Sequence, residues 1–298
     1  MNIETLKFFK KVADVKSISK VSMESHISQS ALSQMIQKLE DSIGYQLFIR
    51  SNKGVELTKI GQIVYEYTET ILKTYKKMTD DLILAEQNQF KVVINSTWAI
   101  SDYCLPGLLV EMKKKYPLIN YELHSNRSED IITNVEHGIA DIGVIYSDYA
   151  SDVLDFHHFT DEKIVLVATK DFNIPSKITI EELYKYKIIY FKNGCYNTEI
   201  NETVAKLTNQ INAKFEPILN LDSISAVKTS TMQGFGIAFV PYSAVKKELQ
   251  EKKLKIVEVE KMNIVLKVNA ISLKYHKLNN HVKKIIDFII KYGAKVLG

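Results

Sequence analysis

Three hydrophobic periods follow one another along this 298-residue chain. In the first, Phe8, Phe9, Val12 and Val15 recur at helical spacing, and Ile18, Val21 and Met23 begin a second short apolar face that stops at the polar pair Glu24 and Ser25. A third helix is predicted next. Ser28 is placed to cap it, Ala31, Leu32, Met35, Ile36 and Leu39 form a face that must be buried, and Gln29, Ser30, Ser33, Gln34, Gln37 and Lys38 fall on the other side. Beyond Gly44, Leu47 and Phe48 anchor a strand, Arg50, Ser51, Asn52, Lys53 and Gly54 make a basic turn, and Val55 to Leu57 returns as a second strand.

The second period runs from about Thr58 to Gln89, a stretch without proline and, after Gly61, without glycine. Ile60, Val64, Tyr67, Ile71, Met78 and Ala85 stand three, four or seven residues or multiples of these apart, which predicts a coiled-coil seam, although Thr74 and Asp81 interrupt it. Some thirty residues at about 1.5 Å each give a helix on the order of 45 Å, long enough to hold two copies of the first segment apart, so self-association as a dimer is expected. Gln87, Asn88 and Gln89 read as a hinge. The third period alternates short apolar runs with helical spacing. Strands are predicted near Lys91–Ser96, Ile119–His124, Asp141–Tyr146, Lys163–Thr169, Lys187–Phe191, Phe215–Leu221, Gly236–Val240, Leu254–Val259 and Ile264–Leu273, with helices between most of them: an α/β architecture.

Chemistry changes the picture most at the third helix. Its outer face is amide and hydroxyl where an ordinary solvated helix carries charge, and such groups make paired contacts to base edges in the major groove, glutamine to adenine above all. The basic turn at Arg50 and Lys53 is placed as a wing toward phosphate or the minor groove. At these residues the chain resembles the LysR-type transcriptional regulators. Ser28, Gln29, Ala31, Leu32, Ser33, Leu39, Glu40, Gly44, Leu47, Phe48, Arg50, Leu57, Thr58 and Gly61 match the family pattern at fixed offsets. Departures fall at Val21, Ser22 and Ser25, where the family usually has paired alanines and a leucine, at Ser30 for its proline and at Gln34 for its arginine. They bear on which base pairs are read, not on the fold. The resemblance continues through Leu105 and Pro106, Tyr116 and Pro117, Gly138–Ile145 (GIADIGVI) and Gly234–Pro241 (GFGIAFVP), over nearly the whole chain.

The resemblance implies a winged helix-turn-helix DNA-binding domain at 1–58, a linker and dimerisation helix with hinge at 59–89, and an effector-binding domain at 90–298. The last is expected to be two Rossmann-like subdomains of the periplasmic-binding-protein kind, subdomain I from 90–162 and 265–298 and subdomain II from 163–264. A small-molecule effector is expected in the cleft between them. Ser96, Thr97 and Ser101 match the family's habitual effector contacts and lie near the start of a helix, which favours an anion; their plain alternative is capping of that helix. Arg127, just past the second strand, is expected to pair a carboxylate in a forked geometry, against the alternative of a surface ion pair with Glu129 or Asp130. Tyr146 and Ser147 end the third strand. Asn193, Gly194, Cys195, Tyr196 and Asn197 turn from a strand into a helix on the far side of the cleft. No arginine follows Cys195 as it does in many members, which argues against a dicarboxylate clamped from both sides. A thiol at Cys195, near a helix amino terminus, also fits a redox-responsive regulator, though no resolving cysteine is near it in sequence.

Charge and composition narrow the alternatives. The formal net charge is +4, and residues 1–60 carry nine basic against six acidic side chains, so most of the excess sits at the expected DNA-binding end. Arg50 and Arg127 are the two arginines among 39 basic side chains, which makes both conspicuous. Two cysteines far apart exclude a disulfide framework and a CxxC metal site. No P-loop or dinucleotide glycine loop, HExxH or GxSxG is present, and His157 and His158, adjacent on a strand, point apart, so neither an enzyme nor a cofactor is indicated. Asp141 is expected to fix a strand start by local hydrogen bonds, and Leu278, Val282, Ile285, Ile286 and Ile289 to pack a terminal helix on the core. The first ten residues already form a charged amphipathic helix and no apolar run is long enough to cross a bilayer, so a cytoplasmic protein is expected. Expected partners are a palindromic double-stranded promoter site, a small effector, further copies forming dimers of dimers, and RNA polymerase. The rival readings are a solute-binding module or an enzyme without DNA reading.

Overall fold

The computed structural model describes residues 2–51, 54–86, 89–146, 151–192, 194, 196–208 and 216–297, and divides into two units, Met1–Asn88 and Gln89–Gly298. The first unit runs α1 (Ile3–Val15), α2 (Ile18–Glu24), α3 (Gln29–Ile43), β1 (Phe48–Ser51), β2 (Gly54–Leu57) and α4 (Lys59–Glu86). Each of the first three helices starts on a side-chain cap, Asn2, Ser17 and Ser28 accepting from the backbone amides of Thr5, Lys20 and Ala31. Gly44 ends α3 at φ +83°, a conformation glycine adopts without strain. Leu6, Phe9, Val12, Ile18, Val21, Leu32, Ile36 and Leu39 form one core with Leu47, Phe48 and Val55 of the hairpin. Met23 is not part of it: it is 70% exposed, and the polar Ser22 takes the buried place beside Val21. At α2's spacing Ile18, Val21 and Ser22 share the inner face, and Met23 is rotated away from it.

Several residues of the sequence pattern turn out to be scaffold. Glu40 is buried, and its Oε1 accepts from the backbone N–H groups of Leu47 at 2.7 Å and Phe48 at 3.1 Å, tying the end of α3 to the start of the wing. Thr58 accepts from the Gly61 amide and donates to the Gln46 carbonyl, and a Cβ at Gly61 would meet the Leu47 carbonyl oxygen at 2.0 Å. The start of α4 therefore closes against the chain entering β1 only with glycine at that place.

The long helix has two faces. Val64, Tyr65 and Leu72 pack against the core and Thr68 is buried, so Val64 belongs to the intramolecular face and not to the expected seam. Tyr65 Oη donates to Asp14 Oδ1 at 2.5 Å, and Lys10 bonds Asp14 at 2.7 Å and lies 3.4 Å from Glu69, fixing α4 to α1. Burial raises the Asp14 carboxyl, but the bonds from Lys10 and Tyr65 outweigh it and hold the group below its ordinary value. On another face Ile60, Ile63, Tyr67, Ile71, Tyr75, Met78 and Leu82 are exposed, a stripe at three- and four-residue spacing. Gln87 and Asn88 of the expected hinge lie outside the described residues.

The second unit continues with β3 (Phe90–Ser96), α5 (Trp98–Tyr103), α6 (Leu105–Lys115), β4 (Ile119–Ser125), α7 (Ser128–Glu136), β5 (Ile142–Tyr146) and β6 (Leu154–Thr169). It then runs β7 (Lys177–Ile178), α8 (Ile180–Leu183), β8 (Ile188–Phe191), α9 (Tyr196–Thr208), β9 (Leu219–Leu221), α10 (Ile224–Met232), β10 (Ile237–Pro241) and α11 (Tyr242–Gln250). β11 (Leu254–Val259), β12 (Ile264–Leu273) and α12 (Asn280–Leu297) end it. The strand order is β4-β3-β5-β12-β6-β10-β8-β9, with β11 pairing both β6 and β7. β3, β4 and β5 are parallel in subdomain I and β8, β9 and β10 in subdomain II; β6 and β12, antiparallel to each other, cross between them.

Three strands differ from expectation. The two-residue β7, held beside β11, has no counterpart among the expected strands. β6 begins at Leu154, well before Lys163; among the described residues its first half pairs only with β12, as an edge whose polar sequence LDFHHFTDE hides the alternation. β9 covers only Leu219–Leu221, and 209–215 lie outside the described residues. Asp141 fixes its strand by bonding across to β3, not locally: Val93 N–H donates to its Oδ2 at 2.8 Å while its own amide donates to the Val93 carbonyl. Val282, Ile285, Ile286 and Ile289 of α12 are buried in the core. At the crossing, buried Glu162 accepts from the Ser243 amide of α11 at 3.1 Å and lies 3.7 Å from the Cys104 thiol, so one carboxylate touches elements of both subdomains. Burial raises Glu162, partly offset by the Ser243 and Cys104 contacts, and burial with the Glu162 charge pushes the Cys104 thiol up to about 12.

Candidate functional site

In the first unit, Gln29, Ser30, Gln34, Gln37 and Lys38 are exposed on the outer face of α3 and Ser33 is half-buried at its margin. Ser30 Oγ lies 3.0 Å from the capping Ser28 hydroxyl, and Gln37 donates to Asp41 at 3.0 Å along the helix. Gln29, Gln34 and Lys38 make no side-chain hydrogen bond among the described residues, so their polar heads face solvent uncommitted. Arg50 pairs with Val55 in the β1–β2 ladder, while Lys53 lies outside the described residues.

In the second unit, the carboxyl ends of β3 and β8 face each other across a cavity of about 290 Å³. Thr97, Trp98, Arg127, Ser128 and Glu129 line it from subdomain I, Lys192 and Gly194 from subdomain II. Thr97 stands at the amino-terminal end of α5 but its side chain makes no capping bond, and its buried hydroxyl has no partner among the described residues, so the capping alternative is not what the structure shows. Arg127 precedes α7, exposed, and pairs with neither Glu129 nor Asp130. A Cβ on Gly194 would come within 2.9 Å of the Tyr196 ring and 3.1 Å of the Phe191 carbonyl oxygen, which keeps this lip of the cavity bare.

Other candidates serve the walls. Ser96 is fully buried and its hydroxyl donates to the Val144 carbonyl at 3.1 Å, bracing β3 against β5. Tyr146 and Tyr196 are core side chains, and the Ser101 hydroxyl is buried within α5 without a partner among the described residues. Ser147, Asn193 and Cys195 lie outside the described residues. Trp98, Ser128 and Lys192 were not singled out by the sequence, and Glu129 was named there only as an alternative ion-pair partner of Arg127. The signals were present: Trp98 is the one tryptophan and follows Thr97, Ser128 and Glu129 follow Arg127, and Lys192 follows the last residue of β8.

Comparison with known families agrees with both halves of this arrangement. The LysR substrate binding domain matches residues 85–294, and the bacterial regulatory helix-turn-helix protein, lysR family, matches residues 3–62. The chain belongs to the LysR family. This LysR-type regulator is 28% identical over 96% of its length, and 94% of the relative's, to a probable RuBisCO transcriptional regulator from Thalassiosira pseudonana. A protein of the same description from Cyanidioschyzon merolae is 28% identical over 88% of each chain. In fold it is similar to CbnR, a LysR family transcriptional regulator, with a TM-score of 0.77, 17% identity and 99% of each chain covered. It is similar also to full-length CbnR complexed with its target DNA, with a TM-score of 0.76, 16% identity and coverage of 99% of this chain and 100% of that one. The LysR-type regulator is thus a DNA-binding transcriptional regulator with an effector-binding domain.

Proposed function

We propose that Gln29, Ser30, Ser33, Gln34, Gln37 and Lys38 of α3 read base edges of a promoter palindrome, and that Arg50 and Lys53 supply phosphate contacts from the wing. In this reading a small anionic effector binds at Thr97, Arg127 and Gly194, draws the subdomains together, and changes the packing of cytoplasmic dimers of dimers joined along α4. The altered spacing of reading heads then alters DNA bend and access of RNA polymerase. The ligand acts only through its different affinity for the two arrangements. The observation that carries the reading is the buried Thr97 hydroxyl, without a partner among the described residues, on a cavity that also holds an arginine in no ion pair among them. The uncommitted amides of α3 and the complex of CbnR with target DNA support the first half of it.

The test is DNA affinity of the full chain as a function of salt and sequence. Arg50→Ala should weaken binding to all sequences and lower the salt slope, whereas Gln29→Ala should relax preference at one or two base pairs and leave the slope in place. Equal loss of discrimination in both variants overturns this division of labour.

A further inference from the structure

We propose that the cleft takes a small metabolite with two anionic groups, one held by Arg127 and Thr97 and the other by Lys192, and that Lys192 is the residue through which the ligand closes the cleft. This rests on the reading of the cleft as the effector site. Arg127 and Lys192 belong to different subdomains and line one cavity, and neither forms an ion pair among the described residues. A ligand with a single anionic group reaches one of these two walls and leaves the cation on the other without a ligand contact, whereas two anionic groups, with a donor turned to Glu129, match every charged side chain of the lining. The missing arginine after Cys195 had argued against a ligand clamped from both sides, but Lys192 brings the second charge from an earlier place in the chain.

The rest of the lining refines the class. Glu129 is a lone carboxylate in the same cavity, so a hydroxyl or ammonium donor on the ligand backbone is favoured beside the anions. The Trp98 indole offers a flat apolar surface to a short carbon skeleton. A volume of about 290 Å³ is at the small end of metabolite sites and excludes a dinucleotide. Lysine binds as a point charge without the fork that selects planar carboxylates, so the second group is a carboxylate or a phosphate alike. Because Lys192 sits on the opposite wall, its contact strengthens as the subdomains approach, which is the differential affinity that closure requires.

Isothermal titration of the full chain with malate, glutamate and O-phosphoserine, each bearing two anionic groups, and lactate as the single-anion control, tests this. At least one two-headed probe should bind on the order of a hundredfold tighter than lactate, and comparing malate or glutamate with phosphoserine tells carboxylate from phosphate at the second position. Lys192→Gln should weaken that probe about tenfold or more and abolish compaction on binding in small-angle scattering, while Lys192→Arg should restore both. If no two-headed probe outbinds lactate, or if Lys192→Gln binds as the parent does, the two-headed ligand is overturned. Loss in both Lys192→Gln and Lys192→Arg marks a structural role and overturns it equally. When Lys192→Gln is silent but Arg127→Gln and Thr97→Val weaken binding, the effector-cleft reading stands without this inference; when all three are silent, both fail.

Discussion

Replacing Glu40 by methionine tests whether a single buried carboxylate carries the junction between the recognition helix and the wing. In the folded chain its Oε1 receives the Leu47 and Phe48 amides at 2.7 and 3.1 Å, and the residue is 6% exposed, so water does not readily replace it. Methionine fills a similar volume but leaves two buried donors without an acceptor. At about 1–3 kcal/mol for each, the expected loss is about 3–5 kcal/mol, a large part of the stability of a small domain. Glutamine keeps a neutral oxygen at the same place and should lose only about 1 kcal/mol, the difference between a charge-assisted and a neutral bond. Calorimetry of the full chain reads this as a fall on the order of 15 °C in the melting of the first unit for Glu40→Met, against about 5 °C for Glu40→Gln. Hydrogen exchange at the Leu47 and Phe48 amides should rise in the same order. If Glu40→Met melts within a few degrees of the parent, or if both variants fall equally, the carboxylate is not the acceptor on which the junction depends.

Two further outcomes follow from the structure. Glu162 has its carboxyl raised by burial, so the folded state holds its proton to higher pH than the unfolded chain does, and stability falls as pH rises from the ordinary carboxylate value through the raised one. Glu162→Gln should therefore raise the urea midpoint at pH 7.5 and lose that advantage toward about pH 4.5; an advantage that grows on acidification contradicts the sign. Along α4, Ile63 and Leu82 are 51% and 61% exposed in the single chain, and Ile63→Lys or Leu82→Lys should weaken self-association about tenfold or more in sedimentation equilibrium, with unchanged association ruling out the stripe as the seam.

The architecture was legible where periodicity and packing coincide. The Ser28 cap of α3, the buried face of that helix and most strands of the second unit lie where alternation and helical spacing put them. Periodicity failed where one element has two partners or none. Val64 shares the spacing of the exposed stripe, yet it packs on the first unit's own core, because a helix buried on one side and apolar on another carries two overlapping patterns. The first half of β6 is an edge with polar side chains, so nothing in LDFHHFTDE announces a strand before β12 supplies its ladder. Thr97 and Arg127, expected from the resemblance, and Gly194, expected where a strand turns into a helix, line the cavity. Ser96, expected from the same resemblance, and Tyr146 and Tyr196, expected at a strand end and a helix start, are turned inward by strand alternation and core packing. Lys192 escaped because a lysine after a strand is an ordinary surface residue until the opposite wall is known.

The crossing pair of strands has a consequence for how such chains diversify. β6 leaves subdomain I and β12 returns to it side by side, with Ile164 opposite Ile264, so the whole of subdomain II is an excursion between neighbouring rungs of one ladder. Subdomain I keeps its strand order β4-β3-β5-β12-β6 whatever the excursion contains. In the proposed reading, half of the ligand's chemistry therefore resides in a cassette joined at two adjacent places, separate from the wall that bears Thr97 and Arg127.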